Sequence, residues 1–237
     1  MRQKSDKKKL LEGRCLGSGS DYVGFIKANE FKNRSSASQL YDPIADRTVD
    51  VLSAGERIFF WIKRYDETTK GIYEQYALNK ESINEICDDF GFRRPIHILT
   101  TDFLIEKTDG SMEAFSIKEN RAVFDPETTL NQANRTKYEK LIVRQRIEKE
   151  YWDRMGVPFH IVFREELDSA YAKNIETCMA FYRGEYVTDA VSKLKFLIAH
   201  HLIDVVLEKA FVNFSKLAEK KSDEIEAKLS ELREEAL

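Results

Sequence analysis

Leu52, Ile58, Phe59 and Ile62 recur at the spacing of one helical face, so residues 49–65 (VDVLSAGERIFFWIKRY) read as an amphipathic helix. Ser53 is placed to cap it, and Glu56 three residues later completes a Ser-x-x-Glu capping pattern. Residues 71–78 (GIYEQYAL) then read as a strand, and 81–90 as a short helix capped near Asn79 and closed by Gly91. The clearest unit covers 96–120, where IHILTTDFLIE and MEAFSIKEN are two β-rich runs joined by Lys107-Thr108-Asp109-Gly110. An Asp-Gly turn between such runs predicts a β-hairpin. Residues 121–130, with Pro126, read as a loop, and 131–155 as a long helix ended by Gly156 and Pro158. The apolar run PFHIVF, 158–163, suits a buried strand.

From Glu165 onward the periodicity is helical, with helices expected near 168–182, 187–210, 212–220 and 222–236. The last two have a helix-turn-helix rhythm, with Ser222 or Asp223 as the cap, and the sequence ends where a wing hairpin would begin. The first forty residues are punctuated by Gly13, Gly17, Ser18, Gly19 and Ser20 and read as an arm or irregular lead-in; no Lys-Ser or Lys-Thr follows to make a phosphate loop. The expected organisation is an arm over 1–40, an α/β mixed-sheet domain over 41–165 and a small helical domain over 166–237.

With 237 residues, 42% hydrophobic and 33% charged, the chain can bury a sizeable core. It has no apolar run of the roughly 20 residues needed to cross a bilayer and no signal-peptide pattern, so the cytoplasm is the expected compartment. Cys15, Cys87 and Cys178 are odd in number and far apart, which suggests buried thiols and no disulfide framework. His97, His160, His200 and His201 show no metal-ligand spacing. The net charge of −3 is unevenly spread. Residues 1–34 carry nine Lys/Arg against four Asp/Glu, and 131–155 carry seven against four, so either could meet phosphates or be a solvated face. Residues 222–237 carry six acids against two bases, which disfavours a DNA groove and suits a protein surface.

Asp102 lies in an otherwise apolar β run, where a charge needs a partner or a metal. On the second strand Ser116, Lys118 and Asn120 alternate with Phe115, Ile117 and Glu119, so the three share one face. Carboxylates that hold Mg²⁺ beside a lysine are what phosphodiester hydrolysis requires. Glu56 is the further carboxylate in view, although its position also suits a purely structural cap.

The segments EGRCLGSGSDYVGFI (12–26), LSAGERIFFWI (52–62), IYEQYAL (72–78), TTDFLIEKTDGSMEAFSIKEN (100–120) and EKEYWDRMGVPFHIVFREEL (148–167) resemble the TnsA family of transposase endonuclease subunits. The resemblance runs in order over roughly residues 10–182. It implies a restriction-endonuclease-like PD-(D/E)xK core with an incomplete, winged-helix-like helical C-terminal domain. It also implies Mg²⁺ dependence, cleavage at the 5′ strand ends of a transposon, and DNA, a DDE transposase and a AAA+ ATPase regulator as partners. By the same resemblance Glu56 and Asp102 are metal carboxylates, with Glu119 as a third acid beside them. One departure is visible: where the family usually has Gln-x-Lys, this chain reads Lys118-Glu119-Asn120, with the lysine one pleat early and Asn120 in its usual place.

Three functions remain open. The first is an active nuclease in which Lys118 supplies charge near the phosphate and Asn120 orients water or phosphate. The second is a catalytically weak adaptor that bridges transposase and regulator, and the third a stand-alone restriction-type nuclease.

Overall fold

The Asp-Gly hairpin anchors a four-stranded sheet in the computed structural model, which describes residues 4–30, 36–125 and 132–235. The loop residue Pro126, and Lys32 and Arg34 of the basic N-terminal segment, lie outside the described residues. The chain divides into two compact units, one of residues 1–57 and 67–167, the other of 58–66 and 168–237.

In the first unit, helix α1 (Asp6–Leu11) begins at Ser5, whose side chain accepts the Lys8 N–H. Among its described residues, the stretch expected to be an arm or irregular lead-in is bonded both within itself and to the strands that follow. Arg14, 1% exposed, donates to the Phe25 carbonyl at 2.9 Å and forks onto Glu30 at 2.6 and 2.7 Å. Tyr22 donates to the Glu74 carbonyl at 2.9 Å. Strands β1 (Ser38–Asp42) and β2 (Arg47–Val51) form a small antiparallel pair. The helix expected from residue 49 therefore starts later, as α2 (Ala54–Tyr65), because Val49 and Val51 are buried in a strand while Ser53 and Glu56 cap the helix.

The main sheet runs β3 (Thr69–Ala77), β4 (Thr100–Lys107), β5 (Met112–Lys118), β6 (Phe159–Phe163). The first three strands are antiparallel and β5–β6 is parallel, so the sheet is mixed. Between β3 and β4 comes α3 (Lys80–Asp89), whose N-cap Asn79 accepts the Ser82 N–H at 2.9 Å. A parallel neighbour needs a long return path, and α4 (Gln132–Arg154) provides it between β5 and β6. Ile86, Leu104, Ala114, Ile147 and Trp152 form the core between the sheet and helices α3 and α4. Strand β6, expected to be buried, is the sheet edge instead; it pairs on one side only, and Ile161 is 36% exposed.

In the second unit, α5 (Ser169–Met179) is capped by Asp168, and α6 (Ala190–Ala199) by an Asp189–Ser192 capping box. The helix expected over 187–210 stops at Ala199. His201 takes a positive φ of 55°, Leu202 N–H returns to the Leu197 carbonyl at 2.9 Å and His201 N–H to Ile198 at 3.0 Å, which is a Schellman ending. Then come α7 (Phe214–Lys220) and α8 (Ser222–Glu235). Ile175, Leu194, Leu197, Ile198 and Ile225 are fully buried in this unit. Among its described residues there is no strand. Of the cysteines, Cys87 and Cys178 are buried and Cys15 is only partly so. Among the described residues no helix is long and apolar enough to cross a membrane.

Candidate active site

Asp102 stands where β4 stops pairing with β5. The ladder runs from Glu106↔Met112 to Phe103↔Phe115, and one step further the Asp102 carboxylate replaces it. Asp102 Oδ2 accepts the Ile117 backbone N–H at 2.7 Å and the Ser116 hydroxyl at 3.3 Å. Strand β5 continues instead beside β6, as far as Lys118↔Phe163. The parting of the two strands opens a cavity of about 460 Å³, lined among others by Glu56, Gln75, Asp102, Ser116, Lys118, Arg144 and Gln145.

Glu56 reaches the cavity from the first turn of α2. That turn sits close against β5: a Cβ on Gly55 would lie 3.0 Å from Ile117 Cγ2 and 3.2 Å from Arg164 Cβ. The Glu56 carboxylate accepts the Leu52 N–H at 2.9 Å, the Ser53 hydroxyl at 2.9 Å and the Gln75 amide at 3.3 Å. Glu56 thus both caps its helix and lines the cavity. Gln75 is 2% exposed and held at a φ of 47°, a strained conformation for this residue, and it accepts the Thr100 hydroxyl at 3.2 Å. The Glu56 carboxyl is pushed up to about 8, by burial first and by the negative charge of Asp102 second.

Lys118 belongs to the same cluster. Its ammonium lies 3.7 Å from Asp102 Oδ2, and it donates to the Ser116 hydroxyl and to the Ile117 carbonyl at 3.2 Å. The run facing Asp102 is therefore Ser116-Ile117-Lys118. Asn120 lies beyond the end of β5 at Lys118, as the extended residue before the short helical turn Arg121–Phe124, and is not among the residues that line the cavity. Glu119 lines the cavity, but its carboxylate is ion-paired with Arg164.

The sequence reading missed Glu148, on α4. It is 2% exposed, accepts the Thr101 hydroxyl at 2.8 Å and the Gln145 amide at 3.3 Å, and is pushed up to about 7 by burial and then by Asp102. Trp152 Nε1 donates to the same Thr101 hydroxyl at 2.8 Å, and Gln145 also reaches Ser116 at 3.4 Å. Leu141, Gln145, Glu148 and Trp152, spaced at three or four residues, form an inward face that could have disclosed the acid inside a basic helix.

Glu56 and Glu148 are each raised in part by the negative charge of Asp102, a repulsion that a divalent cation would relieve. Among the described residues no three His, Cys, Asp or Glu side chains group as a ligand set. Glu56 and Asp102 make a pair, and one or two carboxylates are what Mg²⁺ commonly takes, keeping water on its other positions. The residues present fit such an ion.

Carboxylates and a lysine gathered where two strands of a mixed sheet part are the components of a nuclease site. Residues 66–164 match the family described as TnsA-like endonuclease N terminal, a span that holds Asp102 and Lys118 but not Glu56. Over 233 residues, 95% of this chain and 80% of the relative, the chain is 25% identical to the transposon Tn7 transposition protein TnsA of Escherichia coli. Together the two comparisons support a TnsA-family member.

Proposed function

We propose that the chain is the endonuclease subunit of a heteromeric transposase, hydrolysing a phosphodiester bond at the 5′ strand ends of a transposon. The observation that carries this reading is the convergence of Glu56, Asp102 and Lys118 on one cavity. Its support is the likeness to TnsA-type endonucleases over the strands that bear Asp102 and Lys118. The first unit is read as a restriction-endonuclease-like core on the same grounds.

In this reading Glu56 and Asp102 hold Mg²⁺, which supplies charge against the phosphate and makes water a better nucleophile. Asp102 is fixed for that task by the Ile117 N–H, and Glu56 by Leu52, Ser53 and Gln75. Lys118 places a positive charge beside Asp102, where it can face the oxyanion that develops on phosphorus as water adds and the leaving oxygen departs. The Ser116-x-Lys118 run takes the part of the family's Gln-x-Lys, so Asn120 has no share in the chemistry.

The helical residues 166–237, an incomplete winged-helix-like unit in this reading, serve protein contacts with a DDE transposase and a AAA+ regulator. The test is cleavage of a transposon-end duplex by the full chain with transposase, regulator and Mg²⁺ or Mn²⁺. Strand cutting that Asp102→Asn removes supports the proposal. A wild-type chain that assembles with its partners and leaves both strands intact would establish the adaptor reading instead.

A further inference from the structure

Helix α4 carries seven cationic residues, and they divide sharply by partner. Arg135 pairs with Glu139, Lys149 with Asp153, and Arg154 with Glu150 and Asp89. Arg146 lies over the rings of Phe90 and Phe92, at 5.8 and 5.4 Å. The other three, Lys137, Lys140 and Arg144, are exposed and have no ion pair among the described residues. Arg144 is tethered by one N–H to the Thr100 carbonyl at 2.9 Å, which leaves most of its guanidinium fork available.

The three unpaired cations also occupy a particular place. Arg144 lines the mouth of the Glu56–Asp102 cavity together with Leu141 and Gln145 of the same helix. Lys140 is four residues before Arg144, and Lys137 four before Leu141 and seven before Arg144. Helical geometry therefore continues the cavity-facing side of α4 outward through them, over about 10 Å of axis at 1.5 Å per residue. One DNA strand carries a phosphate for each roughly 3.4 Å of axis, so the stripe spans about three nucleotides.

We infer that Lys137, Lys140 and Arg144 form a phosphate track that lays one DNA strand along the N-terminal half of α4 and delivers a phosphate to the cavity at Arg144. This rests on the nuclease reading above and adds the path of the substrate. Arg144 grips the phosphate nearest the cavity through two parallel N–H donors, and the two lysines hold its neighbours as point charges. The buried carboxylates repel a strand that enters without a cation, and the track offsets part of that repulsion.

The test is fluorescence anisotropy of the full chain with a short duplex, without divalent metal, over a range of salt. Each phosphate contact contributes about 0.9 to the slope of log K against log salt. Lys137→Gln with Lys140→Gln and Arg144→Gln is expected to reduce that slope by about 2.7, and the two lysine changes alone by about 1.8. The control, Arg135→Gln with Lys149→Gln and Arg154→Gln, removes the same charge from the same helix and is expected to leave the slope unchanged. Equal losses in the two triple variants, or an unchanged slope in the first, would overturn the track while leaving the nuclease reading in place. A wild-type chain with no salt-dependent binding would likewise overturn the track, and cleavage with the partners present would still decide the nuclease reading.

Discussion

Asp102 Oδ2 accepts the backbone N–H of Ile117 at 2.7 Å, so a site carboxylate also stitches the hairpin where its ladder ends. The structural and chemical roles can be separated. Asp102→Asn keeps a carbonyl acceptor for the N–H, whereas Asp102→Ala leaves that donor without its partner, at a cost of about 1–3 kcal/mol if it stays unsatisfied. Both variants are expected to lose cleavage by about 10²-fold or more. Thermal unfolding should show Asp102→Ala destabilised and Asp102→Asn close to wild type. Equal melting of the two variants would show that the bond carries no stability.

The raised carboxyl groups set a pH dependence with a definite sign. Glu56 titrates near 8 and Glu148 near 7, both above the ordinary value of 4.5, so between those values the folded chain holds protons that the unfolded chain has released. Stability contributed by the protonated acids is present at low pH and falls as pH rises from about 4.5 to about 8. Glu148→Gln removes its share of this loss and is expected to be more stable than wild type at pH 8, by on the order of 1–3 kcal/mol, with a smaller difference at pH 4.5. Mn²⁺ must displace the Glu56 proton, so calorimetry should show affinity rising between pH 6 and 8 and a proton released on binding. An affinity independent of pH would contradict the assignment of Glu56.

Lys118 and Asn120 are separated by the end of a strand. With the Lys118 ammonium 3.7 Å from Asp102, Lys118→Ala is expected to lower the cleavage rate by about 10²-fold at unchanged melting temperature. Asn120→Lys places a charge on the turn that follows β5 and should change the rate less than twofold. A Lys118→Ala variant rescued by Asn120→Lys would show that the turn can rearrange to bring residue 120 to the phosphate.

Much of this site could be read in the sequence, because Asp102 in an apolar run and the Asp-Gly turn are local signals. The register was harder. Alternation continues a face indefinitely, and only the pairing of Lys118 with Phe163 and the turn at Arg121 show where β5 ends, which leaves Asn120 beyond the strand. Glu148 and Gln75 were hidden for a different reason. Their bonds to Thr101 and Thr100 span 47 and 25 positions, so although the period of α4 turns Glu148 inward, no local pattern names these partners. The N-terminal segment, irregular as its glycines suggest, is tied to the sheet by a bond no local pattern encodes, from the Tyr22 hydroxyl to the Glu74 carbonyl 52 positions on.

Gly55 tests the placement of Glu56 from a residue that does no chemistry. Its added Cβ would meet Ile117 Cγ2 at 3.0 Å, so Gly55→Ala must move the first turn of α2 or the β5 side chain by a few tenths of an ångström. Overpacking of this kind costs about 1–3 kcal/mol. Mn²⁺ affinity is expected to fall along with stability, because the displaced turn carries Glu56. Reduced stability with unchanged Mn²⁺ binding would show that β5 yields and the carboxylate keeps its place.

The last helix, α8, tests whether the second unit faces protein. Deleting residues 212–237 would remove Ala218 and Ile225, which are 2% and 0% exposed, and so confound binding with unfolding. Neutralising the outer face avoids this. Asp223, Glu231 and Glu234 are exposed, and of these only Glu231 is ion-paired among the described residues, with Lys228 at 2.8 Å. Asp223→Asn with Glu231→Gln and Glu234→Gln should therefore leave the core intact, apart from about 0.3–1 kcal/mol lost with Asp223 near the helix N-terminus. If the acidic face meets a basic surface on the transposase or the regulator, the triple variant should bind that partner about tenfold more weakly at low salt, with the difference shrinking as salt screens the charges. Its affinity for an isolated duplex should stay within about twofold of wild type. Undiminished partner binding together with markedly tighter DNA binding would mean that the acids serve to keep DNA off this unit.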